Sequence, residues 1–138
     1  MLYPIGIEMG NDKHAFGVIV PDVPGCFSAG DTLEEAYINA KEAIAFHIEG
    51  MLEDGEEIPL PTDIKAHMNN KEFEGFTFTF VDIDLSHLMG KAEKINITLP
   101  ALLLHKIDAF IATHPEYKSR SGFLAQLATD KLLSNQAI

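Results

Sequence analysis

The chain has 138 residues, of which 10 are basic and 21 acidic, so its formal net charge is −11 at neutral pH. It contains no run of about 18 apolar residues, which excludes a helical membrane span, and its N-terminus has no secretory signal pattern. Cys26 is the single cysteine, which excludes an internal disulfide and favours a reducing cytoplasm.

The charge is unevenly distributed along the chain. Residues 1–90 contain 4 Lys and 17 Asp or Glu, a net of −13, whereas residues 91–138 contain 6 basic and 4 acidic residues, a net of +2. An anionic surface repels phosphate, so the first part is a poor candidate for binding nucleic acid. It favours a basic protein as partner, although acidity that only aids solubility is the alternative.

The first 84 residues predict a small α+β domain. Three short strands separated by turn residues are predicted over 2–9, 15–20 and 26–30. A long helix is predicted from the cap Thr32, supported by Glu35 at the capping-box spacing, to a stop at Gly55. The helical period predicts one buried face, made of Leu33, Ala36, Tyr37, Ala40, Ile44, Phe46, Ile48 and Met51.

A connection and a further strand follow this helix. Residues 61–72 are predicted to be an exposed connection, and residues 73–84 a strand. In that strand Phe76, Phe78 and Phe80 alternate with smaller residues, so the three rings should share one sheet face. Residues 85–93 are the predicted linker, with Gly90 its most flexible point.

The last 48 residues predict one strand and two helices. The strand runs from Lys91 to Leu99 and is ended by Pro100, the first helix covers residues 101–113, and the second begins at Ser119. So little structure cannot enclose a core, but two copies can pair their strands into a ribbon above the helices. The predicted helix core consists of Leu103, Leu104, Ile107, Phe110, Ile111, Phe123, Leu124, Leu127, Ala128 and Leu132.

Strand alternation separates two sets of side chains in this segment. Ile95, Ile97 and Leu99 should face the shared core, and the candidates to contact base edges in a DNA major groove are Lys94, Asn96 and Thr98. The start of the second helix suits a phosphate, and its candidates are Ser119, Arg120 and Ser121. A plain edge strand and simple helix capping are the alternatives.

No pattern in the chain predicts catalysis, a metal site or a cofactor. Asp22, Asp31, Asp82 and Asp84 are the carboxylates available for a metal cluster, but turn, helix-start and strand-end positions explain them better. Cys26 beside a histidine would be a nucleophile, yet a small half-buried residue is the preferred interpretation.

Two stretches resemble known families. The run from Pro21 to Ile44, P-D-V-P-G-C-F-S-A-G-D-T-L-E-E-A-Y-I-N-A-K-E-A-I, resembles the hallmark of HicB antitoxins, and K-I-N-I-T-L-P before two helices resembles a ribbon-helix-helix domain. The resemblance implies a reduced RNase H-like N-terminal domain over 1–84, a linker over 85–93 and a ribbon-helix-helix over 94–138. Together the matches cover roughly residues 2–60 and 91–134.

The resemblance also implies a function. The N-terminal domain would bind and block a HicA-type toxin, a small basic mRNA-cleaving protein, and the tail would bind operator DNA and repress its own operon. The protein would be a cytoplasmic, non-enzymatic homodimer, with a homotetramer as the alternative. Weak candidates for toxin contact are Tyr3, Glu8, Asp22 and Phe27.

Two other functions stay open from the sequence. One is a ribbon-helix-helix transcriptional regulator whose N-terminal domain senses a small ligand or another protein. The other is a surviving metal-dependent nuclease that would need Asp22 or Asp31.

Overall fold

The computed structural model describes residues 1–134, which fold into two compact units. The first unit is Met1–Asp84 and the second begins at Leu85. Within the described residues, no helix has both the length and the apolar character needed to cross a membrane.

The first unit is an antiparallel sheet with one long helix, which confirms the predicted α+β class. Its strands stand in the order β3-β2-β1-β4. A 3-10 helix, Lys71–Phe73, precedes the last strand. The strands and helices are β1 (Leu2–Glu8), β2 (Phe16–Ile19), β3 (Phe27–Gly30), α1 (Leu33–Glu53), α2 (Ile64–Met68) and β4 (Thr77–Asp82).

The core of this unit lies between α1 and one face of the sheet. On β1 the residues Tyr3, Ile5 and Ile7 alternate onto that face and are buried. The helix contributes a stripe at four-residue spacing, made of Ala36, Ala40, Ile44 and Ile48, all of which are fully buried. This stripe follows the helical period, because residues four apart lie on the same side of a helix.

The start of α1 lies very close to the end of β3. Thr32 caps the helix by accepting a hydrogen bond from the Glu35 N–H at 3.1 Å, as predicted. A methyl group added to Gly30 would lie 2.3 Å from the backbone nitrogen of Ala36. Only glycine therefore allows the helix to turn back onto the sheet at this point.

Two polar side chains of α1 bond the two edges of the sheet. Pro4 stands opposite Phe80 and has no N–H to donate, so the backbone polar groups of Phe80 point to the free edge of β4. The Tyr37 hydroxyl donates to the Phe80 carbonyl at 3.2 Å, and Asn39 donates to the Ala29 carbonyl of β3 at 2.8 Å. On each edge strand, therefore, one backbone carbonyl already accepts a hydrogen bond from a side chain of α1.

The prediction of an exposed connection over 61–72 was wrong in part. These residues include α2 and lead into the 3-10 helix, whose Phe73 packs edge-on against Phe78 of β4 with ring centroids 6.1 Å apart. Phe78 and Phe80 share the sheet face opposite α1, as expected, but Phe76 precedes the strand. Packing of these aromatic side chains holds the segment against the sheet, because burying a phenylalanine ring is favourable in free energy.

The second unit consists of helices and one extended segment. A 3-10 helix, Leu85–Leu88, packs against α4, so the first residues of the predicted linker belong to folded structure. The two long helices are α3 (Ala101–Thr113), which has its predicted bounds, and α4 (Arg120–Ser134), which begins one residue after its predicted start. Between them lies the 3-10 helix Pro115–Tyr117.

Residues 91–99 make no β-ladder within the single chain, contrary to the predicted strand. A strand is defined by hydrogen bonds to a neighbour, and none of the described residues provides one. The predicted helix core is also largely uncovered. Ile107 is buried, whereas Leu103, Phe110, Leu127, Ala128 and Leu132 are exposed.

We predict that Gly30→Ala destabilises the first unit by about 3 kcal/mol, because the added methyl meets backbone atoms that cannot rotate away. Gly50→Ala, in the last turn of α1 with open space around it, should stabilise the same unit by about 0.5–1 kcal/mol. Urea unfolding of the full chain, followed by hydrogen exchange of peptides from residues 1–84, measures both changes. Equal effects of the two substitutions would contradict the close approach at Gly30.

Candidate interaction surfaces

The extended segment of the second unit exposes both of its faces. Ile95 and Ile97, predicted to face a shared core, are 76% and 58% exposed. They line a groove of about 770 Å³ whose other wall includes Leu124, Ala125 and Ala128 of α4. The predicted base-contacting residues Lys94, Asn96 and Thr98 are exposed as well.

The start of α4 has the geometry of a capped helix with free donors. The Ser119 hydroxyl accepts a hydrogen bond from the Gly122 N–H at 3.0 Å, so this side chain serves as the cap. The backbone N–H groups of Arg120 and Ser121 find no acceptor among residues 1–134. Ser121 is exposed beside them, and the end as a whole can accept an anion.

Arg120 is engaged within the chain. Its guanidinium donates two hydrogen bonds to the Asp108 carboxylate, at 2.8 Å and 2.7 Å. The hydrogen bond to Arg120 is the main cause that lowers the pKa of Asp108, and the same contact raises the pKa of Arg120. In this arrangement the Arg120 guanidinium, which was predicted to contact a DNA phosphate, joins α3 to α4.

The turn between α3 and α4 is tightly built. Phe110, Tyr117 and Phe123 form a ring cluster with centroids 5.2–5.8 Å apart. A methyl group added to Gly122 would lie 2.2 Å from the Tyr117 carbonyl oxygen, and Lys118 adopts a positive φ of 66°. The cluster and the turn therefore fix where α4 begins.

In the first unit, the assignment of Tyr3 to toxin contact is wrong. The side chain is completely buried, and its hydroxyl donates to the Pro59 carbonyl at 2.8 Å. Burial, reinforced by the nearby Asp22 charge, raises the pKa of Tyr3 to about 12. Tyr3 is a core residue that ties β1 to the segment after α1.

The assignment of Asp22 to toxin contact is also wrong, because its carboxylate is hydrogen-bonded within the fold. It accepts from the Thr62 N–H at 2.9 Å and from the Thr62 hydroxyl at 2.7 Å. Nε2 of His67 lies 3.2 Å from the same carboxylate and 2.8 Å from the Thr62 hydroxyl oxygen. We call these three residues the Asp22 clasp, since they join the loop after β2 to α2.

The Asp22 clasp does not have the arrangement of a catalytic triad. A relay needs the hydroxyl and the carboxylate on opposite nitrogens of the ring, whereas here both meet Nε2. Among residues 1–134, no three His, Cys, Asp or Glu side chains converge as metal ligands. Burial raises the pKa of the Cys26 thiol, which is the opposite of what a nucleophile requires.

Glu8 and Phe27 are accessible, so both stay predictions for toxin contact. Glu8 ends β1, and Phe27 lies on the edge strand β3 with 69% of its surface exposed. The register places Phe27 on the sheet face opposite α1.

Sequence reasoning missed one surface. Phe46 was assigned to the buried face of α1, yet it is 81% exposed. The helical period carried the missing signal, because Phe46 follows Ile44 by two residues and therefore lies roughly 200° around the helix from it. Four glutamates of the same helix share this side, and they are Glu35, Glu42, Glu49 and Glu53.

Comparison with known proteins gives consistent matches. A family model described as a HicB-like antitoxin of bacterial toxin–antitoxin systems matches residues 3–128. A 14.9 kDa protein from the rep–hol intergenic region of Haemophilus phage HP1 is 69% identical, over 97% of this chain and 99% of its own. The crystal structure of the Burkholderia pseudomallei antitoxin HicB is similar with a TM-score of 0.78 at 39% identity, covering 96% of this chain and 98% of that one.

A structure of a HicA3–HicB3 toxin–antitoxin complex is also similar. Its matching chain has a TM-score of 0.53 at 37% identity. The alignment covers 61% of the present chain and 99% of that chain.

We predict that Asp22→Ala loosens the segment over 62–73 and lowers the free energy of unfolding by about 1–3 kcal/mol. The Thr62 N–H and the His67 ring would lose a buried acceptor. Hydrogen exchange of peptides from α2 should speed up in the variant. Asp12→Ala, at an exposed turn residue, is the matched control and should leave that exchange unchanged. Equal exchange in both variants would show that the clasp does not hold the segment.

Proposed function

We propose that this chain, which belongs to the HicB-like antitoxin family of bacterial toxin–antitoxin systems, neutralises a HicA-type toxin and represses its own operon. The match over residues 3–128 supports the antitoxin role, and the similar HicA3–HicB3 complex supports a toxin of the HicA type as partner. Neutralisation would be steric and electrostatic, without chemistry.

The first unit is the proposed toxin-binding part. The matching chain of the HicA3–HicB3 complex is aligned over 99% of its length with 61% of this chain, which is about 84 residues and hence the size of the first unit. Residues 1–84 hold 4 Lys and 17 acidic residues, a net of −13 that suits a basic partner. We interpret this unit as a reduced RNase H-like domain that keeps a fold and not an activity.

The second unit is the proposed dimerisation and DNA-binding part. Its described apolar side chains are mostly exposed, and Leu85, Ile107 and Leu133 alone among them are buried. So small a core cannot repay the cost of ordering about 50 residues, so a second copy is needed to complete it. Pairing of the two 91–99 segments would cover Ile95 and Ile97 and turn Lys94, Asn96 and Thr98 outward as a ribbon.

The helix starts would then hold the flanking phosphates. The free N–H groups of Arg120 and Ser121 and the Ser121 hydroxyl are the donors for this contact. Arg120 would reach a phosphate only after its guanidinium exchanges Asp108 for it. A symmetric dimer presents two such helix starts, and a tetramer through the first units would span two half-sites.

A ligand-sensing regulator is the second candidate. It is favoured by an apolar recess of about 530 Å³ between α1 and the sheet. The recess is lined by Ile7, Leu33, Tyr37 and Thr79 with Glu34 at its rim. This function requires operator binding in a cell where the neighbouring gene encodes no toxin.

Co-expression with the short reading frame beside its gene tests the antitoxin role. We expect a small basic protein to co-purify in a fixed ratio, and that protein expressed alone should stop growth. The matched control is the same expression with residues 1–84 of this chain removed, which should give no complex and no protection. A harmless neighbour that does not bind would leave the ligand-sensing regulator.

We predict that Asn96→Ala and Thr98→Ala each weaken binding to the DNA upstream of the gene by about 10-fold or more, because each removes a base-edge contact. Toxin neutralisation should stay intact. Asn69→Ala, the same substitution in the first unit, is the control in the same gel-shift series. If Asn96→Ala unfolds the dimer, the outward assignment of this side chain is refuted.

A further inference from the structure

The side of α1 that faces away from the sheet carries an ordered row of charge. Glu35, Glu42 and Glu49 follow one another at seven-residue spacing, and Glu53 comes four residues later. Residues seven apart lie within about 20° of each other around a helix, so these carboxylates form one line along α1. We call this the outer face of α1.

The charge of this line is not neutralised by the fold. The ion pairs of the described residues involve none of Glu42, Glu49 and Glu53. Lys41 is the single Lys or Arg among the 21 residues of the helix, and His47 is its single histidine. Glu49 and Glu53 are four residues apart, and like charges at that spacing destabilise an isolated helix slightly, so this pair costs stability in the free protein.

Two large apolar side chains interrupt the row. Ile38 lies between Glu35 and Glu42 on the helix surface and is 55% exposed. Phe46 lies between Glu42 and Glu49 and is 81% exposed. Ile38 also lines the apolar recess beside β4, which extends the outer face toward the sheet. Aromatic anchors surrounded by charge are typical of protein interfaces.

The sign of the charge decides which kind of molecule this face can bind. DNA and RNA are polyanions and would be repelled by the glutamate row. A second copy meeting the same face by twofold symmetry would place these glutamates against one another. A protein with a basic surface meets neither obstacle, because its cations face the carboxylates while Phe46 and Ile38 fill apolar contacts.

We propose that the outer face of α1 is the surface that docks the toxin, with Phe46 as its anchor and Glu42 and Glu49 as its charge partners. This inference rests on the proposed function, which supplies the identity of the basic partner. The tight packing of Gly30 and Ala36 against each other holds the helix, and hence the row, in a fixed place on the sheet. The surface is therefore preorganised for binding in the free protein.

The test measures affinity of the full-length chain for the small basic protein recovered in the co-expression experiment. The double variant Glu42→Lys and Glu49→Lys should raise the Kd by about 100-fold or more, since both attractive pairs become repulsive. Its salt dependence should also flatten or reverse. Phe46→Ala should raise the Kd by about 30-fold. All three positions are exposed, so circular dichroism should show an unchanged fold.

Two matched controls locate the effect. Glu72→Lys with Glu74→Lys makes the same change in net charge at exposed residues away from α1 and should alter the Kd less than 5-fold. Phe80→Ala removes an exposed ring from the sheet face opposite α1 and should alter it little.

The outcomes separate this surface from the function itself. A wild-type complex whose Kd is unchanged by the Glu42 and Glu49 reversal would refute the surface and leave the antitoxin role standing. A larger loss for Phe27→Ala than for Phe46→Ala would place the toxin on the β3 side and refute it too. If the wild-type chain forms no complex with the small basic protein, the proposed function is overturned, and so is the assignment of the toxin to the outer face of α1.

Discussion

The packing of α1 against one face of the sheet is the contact on which the first unit depends. Ala36 and Ala40 are small enough to bring the helix close, and Gly30 leaves room for its first turn. That closeness lets Tyr37 and Asn39 reach carbonyls on the two sheet edges. One helix thus covers the core formed with the sheet and occupies one carbonyl on each edge strand, and this packing determines which of its own residues face solvent.

The second unit has the opposite character, because its own residues leave it incomplete. Its helices share an aromatic turn and an ion pair between Arg120 and Asp108, but few apolar side chains are covered. The exposed Ile95 and Ile97 lie in an extended segment without a ladder partner among the described residues. We propose that association with a second copy completes this core, which is why dimerisation and DNA binding belong together in the proposal.

The opposite charges of the two units fit two different partners. The acidic first unit repels nucleic acid, so the mildly basic second unit is the part that can approach a phosphate backbone. In the first unit, the carboxylate at Asp22 is taken by Thr62 and His67 and serves the fold. Among residues 1–134, Glu42, Glu49 and Glu53 on the outer face of α1 have no such partner. Their charges are therefore available to another protein, whereas that of Asp22 is not.

The sequence by itself determined the elements whose causes are local. The cap at Thr32, the bounds of α3 and α4, the strand order along the chain and the division of charge follow from capping, periodicity and composition. Only the tertiary structure decided which candidate side chains are hydrogen-bonded within the fold. Tyr3 bonds Pro59, Asp22 bonds His67, and Arg120 bonds Asp108. Those partners lie 12 to 56 residues apart, and no local pattern records a contact between distant segments.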